Sequence, residues 1–206
     1  MKFFKAIFKK TRQVRKGDFF NSSHYELDNL LCGTGTSEIL KSEINIIDYP
    51  FKPSQVYPNR LIQASEIDAL SFDSYPPLIN IQNEVIFISR EHSNSLELFM
   101  ERNNINSFKP SRTWSWILEP YLDTEYTSEN HKRIIKLLST KKIHEAELDK
   151  IRNEIKNQML KYNFDTMLWE WGDLGVSDVL AAMRVKYNDI EFRDFFKRAM
   201  EIQLRR

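Results

Sequence analysis

The sequence predicts an α+β protein, in which a small N-terminal unit with a β-hairpin packs on a C-terminal, mainly antiparallel helical bundle. Two apolar runs at residues 78–81 and 84–89 are separated only by Gln82 and Asn83, which is the spacing of a hairpin. After about residue 111 the apolar residues recur at helical spacing, and short connections favour antiparallel helices. The 206 residues are 41% hydrophobic with 5 glycines and 7 prolines, which excludes collagen-like and disordered chains.

Charge divides the chain into three sections. Residues 1–16 contain seven basic residues and no acidic one, residues 17–110 contain 13 acidic and six basic residues, and residues 111–206 contain 16 acidic and 17 basic residues. We therefore expect a basic amphipathic helix over 1–16, a small α+β unit over 17–110 and a helical bundle over 111–206. Residues 17–206 also fit the length of one compact domain.

Within residues 17–110, short apolar and β-branched runs alternate with turn residues, which predicts short helices and strands. Ser65 and Ser89 each precede such a run and are suited to cap helices. The predicted elements before the hairpin are a helix over 25–32, a loop over 33–37, strands over 43–49 and 55–63 and a helix over 66–70; after it, a helix runs from residue 90 towards 103.

The C-terminal section contains the strongest helical pattern of the chain. Its apolar residues Leu148, Ile151, Ile155, Met159 and Tyr162 follow at spacings of three and four, so one face of a helix is apolar. The other predicted elements are a short one of undecided type between Pro110 and Pro120, a helix starting at Thr127 or Ser128, a segment capped by Asp165, a helix over 178–185 capped by Ser177, and a last helix opened by Asn188 or Asp189 with Phe192, Phe195, Phe196, Ala199 and Met200 inward.

On a helical projection, residues 1–16 place an apolar stripe opposite a basic face. Such a helix is suited to an anionic membrane interface or to a partner surface. The same apolar stripe is also suited to packing on the acidic section of the chain, residues 17–110. A mitochondrial transit peptide is a third interpretation of residues 1–16. The candidate partner- or membrane-binding residues are Phe3, Phe4, Ile7, Phe8, Lys2, Lys5, Lys9, Lys10 and Arg12.

Several classes of protein are excluded or disfavoured by composition. The longest stretch without Asp, Glu, Lys or Arg covers residues 74–83, which is too short to span a bilayer. Lys5 and Lys9 interrupt the early apolar residues, so a secretory signal is not expected. The single cysteine, Cys32, forms no internal disulfide and suits a reducing cytoplasm. Beyond residue 16 the chain holds 29 acidic and 23 basic residues, and this excess of acid argues against nucleic acid as a partner.

Acidic residues in the second half are the candidates for catalysis. One group lies just before a predicted helix, where acids are also favoured by the helix dipole. The other stands beside Trp169 and Trp171, and tryptophan with carboxylates is the composition of sugar-binding sites and glycosidases. A carboxylate-based hydrolase would use some combination of Glu119, Asp123, Glu125, Glu170 and Asp173.

Other chemistry-bearing residues match no site pattern. The four histidines, His24, His92, His131 and His144, are too scattered to place a metal pair on one helix face. Residues 33–37 lack the lysine of a phosphate-binding loop, and Cys32 would need a nearby base to act as a nucleophile. We therefore expect no metal and no cofactor. The sequence favours a non-catalytic intracellular module that binds another protein, with a peripheral membrane protein and a carboxylate hydrolase as alternatives.

Overall fold

The computed structural model describes residues 22–122, 126–166 and 173–205, and it confirms the α+β class. These residues form two three-stranded antiparallel sheets and seven α-helices. The strands are β1 (Thr36–Ile39), β2 (Glu43–Ile47), β3 (Arg60–Gln63), β4 (Ala69–Ser71), β5 (Leu78–Ile81) and β6 (Glu84–Phe87). The helices are α1 (His24–Leu30), α2 (Ser93–Arg102), α3 (Thr113–Leu118), α4 (Ser128–Ser139), α5 (Glu145–Asp165), α6 (Val176–Lys186) and α7 (Asp189–Leu204).

The first sheet has the order β1-β2-β3 and one buried face. Ile44 of β2 lies opposite Ile39 of β1 and Ile62 of β3, and Ile44 and Ile62 are fully buried. Alternation along the strands places Glu38 and Asn45 on the other face, where the Asn45 amide donates to the Glu38 carboxylate over 3.0 Å. One face of this sheet therefore belongs to the core and the other to solvent.

The second sheet, β4-β5-β6, contains the predicted hairpin. Ile79 pairs with Ile86, and the turn at Gln82 and Asn83 is made with Gln82 at a φ of 55°. All four residues of β6 are buried; α7 contacts this strand, and Tyr49 and Ser54 contact it through hydrogen bonds. Beyond β4, a parallel bridge joins Leu70 to Ser107, so the chain after α2 lies along the free side of β4.

Four predictions for the N-terminal section are wrong in part. The helix predicted from residue 90 begins at Ser93 after a 3-10 turn at Arg90–His92, Ser89 makes no side-chain cap hydrogen bond, and Ser65 lies inside a 3-10 turn instead of capping a helix. The strand predicted over 55–63 is reduced to β3, because residues 51–57 make turns in which Ser54 N–H donates to the Phe51 carbonyl. The helix predicted over 66–70 is a 3-10 turn at Ala64–Glu66 followed by β4. The loop predicted over 33–37 gives way to β1 at residue 36.

The helical section follows its apolar periodicity. All five apolar residues predicted for one face of α5 are buried, and Asn188 caps α7 by accepting the N–H groups of Ile190 and Glu191. Two predicted caps are wrong: Asp165 lies in the last turn of α5, and α6 is capped at Gly175, with Ser177 inside the helix. Asp178 replaces the serine because its carboxylate reaches back to Gly175 N–H over 2.7 Å.

Aromatic side chains join the sheets to the helices. Phe51 lies between Phe87 of β6 and Phe192 and Phe196 of α7, with ring centroids 5.9, 6.4 and 6.3 Å away. The Trp114 indole of α3 donates its N–H to the Ala199 carbonyl of α7 over 3.0 Å. The buried apolar side chains of the described residues consequently form one continuous cluster.

Candidate functional site

A cleft opens where the second sheet faces the starts of α3 and α6. Its walls are the turn at residues 71–76, the segment at residues 107–112 and the chain at residues 173–177. The volume is about 620 Å³, within the range of about 300–1,000 Å³ that is usual for binding pockets. Buried apolar side chains form its base: Leu70, Leu78, Phe87 and Trp114.

The first wall exists because β4 ends at Ser71 and the chain turns before β5. The Ser71 hydroxyl donates to the Asp73 carboxylate over 3.0 Å, and the Ser74 hydroxyl lies within hydrogen-bond distance of the carbonyls of Ser71 and Pro76. The turn presents Tyr75, which is 69% exposed, with the Arg90 guanidinium 4.8 Å from the centre of its ring. These contacts fix an exposed aromatic ring at the edge of the cleft.

The start of α6 is the third wall and is held by Asp178. Its carboxylate accepts the Gly175 N–H and also the Tyr162 hydroxyl, the latter over 2.8 Å. Burial raises the pKa of Asp178, and the hydrogen bonds oppose that shift. Because both oxygens already accept hydrogen bonds, Asp178 fixes the position of the helix start against α5.

Hydroxyl groups dominate the polar lining of the cleft. Those of Ser107, Ser115 and Ser177 make no hydrogen bond with other described residues. Ser115 also lines two adjoining pockets of about 310 and 300 Å³, so it stands at the junction of the three spaces. The serines of the cleft are Ser71, Ser74, Ser107, Ser111, Ser115 and Ser177.

The charges of the cleft are few and exposed. Arg112 and Asp173 face each other across 3.7 Å, with their side chains 63% and 58% exposed. Lys109 is exposed and has no ion-pair partner among the residues that the structure describes. Exposed pairs of this kind contribute only about 0.2–1 kcal/mol to stability. A ligand can therefore displace Asp173 from Arg112 at little cost, and Lys109 has no ion pair among the described residues to break.

Of the five predicted catalytic carboxylates, two are described. Glu119 and Asp173 line the same pocket of about 300 Å³, beside Arg112 and Arg133. Each faces a guanidinium: Glu119 accepts two hydrogen bonds from Arg133, at 2.8 and 3.2 Å, and Asp173 faces Arg112. Asp123, Glu125 and Glu170 lie outside the described residues. The hydrolase hypothesis therefore stays a prediction.

No histidine or cysteine of the described residues lines the cleft. His131 contacts the Tyr126 hydroxyl, 3.1 Å from its Nδ1, and lies 3.6 Å from Glu145. Cys32 is not among the lining residues, and burial raises the pKa of its thiol while Arg184 opposes the shift. Among the described residues, the serine hydroxyls of the cleft thus have no imidazole beside them to act as the general base of a Ser-His-Asp triad.

Backbone geometry accounts for the glycine-containing loop at residues 33–37. Gly35 has a φ of 70°, and a Cβ there would lie 2.6 Å from the Ile47 carbonyl oxygen. The loop leads into β1, so it lacks the helix start that a phosphate cradle requires. Within the described part of the chain, no group of three or more His, Cys, Asp or Glu side chains is placed to hold a metal ion.

The predicted binding helix over residues 1–16 lies outside the described residues. Phe3, Phe4, Ile7 and Phe8, and the basic residues Lys2, Lys5, Lys9, Lys10 and Arg12, lie outside the described residues. Their role at a partner or membrane surface therefore stays a prediction. Among the described helices, none is both long enough and apolar enough to cross a membrane.

A second exposed surface, the tyrosine patch, surrounds the ion pair between Lys52 and Asp189. The ammonium lies 2.8 Å from the carboxylate, and this contact raises the pKa of Lys52, with smaller contributions from Tyr57 and Tyr25. Tyr25 is 75% exposed, Tyr57 39% and Ile190 70%. Exposed tyrosine is enriched in protein interfaces, so this composition is typical of a contact surface.

Sequence reasoning missed most of the cleft. Its serines, Lys109 and Arg112 belong to no spacing that a motif describes, and only the folded chain brings them together. One signal was present: residues 109–112, Lys-Pro-Ser-Arg, carry two bases and a proline between two apolar segments. The bases favour exposure and the proline prevents a helix from continuing through the segment. Both properties are typical of binding loops.

Comparisons of the chain with protein-family models, with curated proteins and with solved structures give no match.

Proposed function

We propose that the chain is a non-catalytic module that binds another protein, and that the cleft receives a segment of that partner. The observation that carries this proposal is the lining: six serines and an exposed tyrosine over an apolar base, without a histidine or cysteine among the described residues. Tyrosine gives a large contact area at low entropic cost, and serine hydroxyls adapt to different hydrogen-bonding groups. The lone Cys32 suits a cytoplasmic location for this role.

Capture of partners by the full-length chain from its native cells tests the proposal. Ser115→Trp fills the junction of the three pockets, and Ser95→Trp places the same side chain on an exposed position of α2. Partners are crosslinked to the chain before they are captured. We expect the wild type and Ser95→Trp to capture the same protein, and Ser115→Trp to fail to capture it. Circular dichroism and the melting temperature of each variant verify that the fold is retained.

Three results would contradict this assignment. If Ser115→Trp captures the same protein as the wild type, the cleft is not the binding surface. Loss of capture with Tyr25→Ser instead would move the interface to the tyrosine patch. Recovery of a converted small molecule from the native extract, with no crosslinked protein, would favour the hydrolase, and Asp173→Asn and Glu119→Gln would then abolish the conversion.

We propose membrane binding by residues 1–16 as a second candidate function, supported by their basic amphipathic pattern. Sedimentation with vesicles of rising anionic lipid content tests it. The full chain should sediment with anionic vesicles, and the double variant Phe4→Asp, Phe8→Asp should remain in solution. Equal sedimentation of both proteins would remove this candidate.

A further inference from the structure

The segment after α2 extends the second sheet by a short parallel strand. Leu70 of β4 donates its N–H to the Asn106 carbonyl over 2.9 Å, and its carbonyl accepts the Phe108 N–H over 3.1 Å. These two bonds are the pattern of a parallel bridge centred on Leu70 and Ser107. The backbone groups of Asn106 and Phe108 on that side are therefore used by the sheet.

The outer edge of this segment is unpaired. In an extended chain the N–H and C=O of successive residues point to alternate sides, so those of Ser107 point away from β4, and those of Lys109 follow. Neither residue makes a backbone hydrogen bond with other described residues, and both are exposed. Both also line the cleft. An unpaired strand edge of this kind accepts an additional strand.

Charge on this edge is positive. Lys109 has no counter-charge among the described residues, and Arg112 follows three residues later. Of the two acids that line the cleft, Asp173 faces Arg112 and Asp73 accepts the Ser71 hydroxyl in the turn after β4, and neither forms an ion pair with Lys109. Lys109 is the one charged side chain of residues 106–109, so a carboxylate on an added strand would lie beside its ammonium.

We propose that the partner segment is an acidic, extended polypeptide that adds as a strand to the outer edge of residues 106–109. This inference rests on the proposed protein-binding function and names the chemistry of its ligand. Backbone hydrogen bonds to Ser107 and Lys109 hold the segment, an acidic side chain pairs with Lys109, and alternate side chains enter the serine-lined cleft. Main-chain pairing supplies affinity, and the charge supplies selection among extended segments.

The probe is a six-residue peptide, acetyl-Glu-Val-Glu-Val-Glu-Val-amide, titrated into the full chain labelled with nitrogen-15. We expect it to bind at least tenfold more tightly than the matching peptide with lysine in place of glutamate. The exchange of the Ser107 and Lys109 amide protons should slow at least tenfold in the complex. N-methylation of alternate peptide nitrogens should weaken binding at least tenfold, because it removes the donors of the new ladder.

Variants of the chain test the same edge from the protein side. Ser107→Pro removes an N–H that the described fold does not use, and we expect it to weaken acidic-peptide binding at least tenfold more than Ser107→Ala, which keeps the N–H and removes only the hydroxyl. Lys109→Glu should reverse the preference between the acidic and basic peptides. Lys150→Glu, an exposed change on α5, should not. If Ser107→Pro fails to fold, the N-methylated peptide answers the same question with the wild-type chain.

Strand addition is overturned if N-methylation has no effect, if the basic peptide binds as well as the acidic one, or if neither peptide binds. It is also overturned if Ser107→Pro dissociates a dimer, since the occupant would then be a second copy of the chain. In each case the protein-binding function is judged separately, by capture with Ser115→Trp. Retained sensitivity to that variant would leave the function standing and reject only the mode of binding.

Discussion

The sheets and the helices meet along one seam, and its two ends differ. At the closed end, Phe51 lies between Phe87 and the rings of Phe192 and Phe196, and its side chain is buried. At the open end, serines from three segments face each other across a cleft of about 620 Å³. Phe87 belongs to both, because it contacts Phe51 and also lines the cleft. Aromatic side chains therefore join the sheets to the helices at the closed end. At the open end, serine side chains are too small to fill the gap, and a ligand can enter it.

The largest effect is expected at the closed end, from Phe51→Ala. Phe51 is 1% exposed and its ring contacts come from β6 and α7, so its removal leaves a cavity between the sheets and the helices. We expect the free energy of unfolding in urea to fall by about 3–5 kcal/mol. Ser115→Ala in the cleft is the control and should change it by less than about 0.5 kcal/mol. A loss below about 1 kcal/mol for Phe51→Ala would contradict the distinction between the two ends.

Trp114→Phe tests the boundary between the two ends. Trp114 is 1% exposed and lines the cleft, and its indole N–H donates to the Ala199 carbonyl. Phenylalanine keeps a ring in place but leaves that carbonyl without its donor, so we expect a loss of about 1–3 kcal/mol in urea unfolding. Equal stability of the variant would show that water or a shift of α7 replaces the hydrogen bond.

Three of the four rings of the closed end were predictable, since Phe87 lies in an apolar run of the hairpin and Phe192 and Phe196 lie on the inward face of the last helix. Phe51 was not, because it lies in the turns at residues 51–57. The pattern of α5 and the inward phenylalanines of α7 follow from apolar spacing alone, because each helix buries one face. The hairpin β5–β6 was predictable for the same reason: each run is apolar, and only a two-residue turn fits between them.

The open end was not predictable, because its residues are placed by contacts distant in sequence. The predicted helix over 66–70 shows why: both backbone groups of Leu70 are taken by Asn106 and Phe108, which local propensity does not register. The strands β1 and β4 have only four and three residues and were missed. The first wall of the cleft depends on where β4 ends, so the sequence contains the serines of the cleft but no pattern that shows their proximity.

A pH dependence is expected from Glu84, which holds the turn that carries Phe51. Its carboxylate accepts the Ser54 hydroxyl and, over 3.1 Å, the Gln55 N–H, and burial raises the pKa of Glu84 above its ordinary value of 4.5. The folded state thus holds this proton to a higher pH than the unfolded state does. Stability from this group is present below pH 4.5 and is lost as the pH rises through the raised pKa.

Glu84→Gln isolates that contribution. The difference in unfolding free energy between the wild type and the variant should move in favour of the variant as the pH rises above 4.5, with a slope of at most about 1.4 kcal/mol per pH unit. Urea unfolding of both proteins between about pH 4 and pH 8 measures it. Parallel curves would mean that the carboxylate titrates alike in the folded and unfolded chains, and that it does not link the closed end to pH.

The smallest effect is expected across the cleft, from the pair of Arg112 and Asp173. Both side chains are more than half exposed and 3.7 Å apart, so solvent and salt screen their attraction. A double-mutant cycle with Arg112→Gln and Asp173→Asn should give a coupling energy of about 0.2–1 kcal/mol that declines further in 1 M salt. A salt-independent coupling energy above about 2 kcal/mol would mean that Arg112 and Asp173 hold the walls of the cleft together by a strong ion pair. Partner binding would then have to break it first, and Asp173→Asn would increase affinity by freeing Arg112.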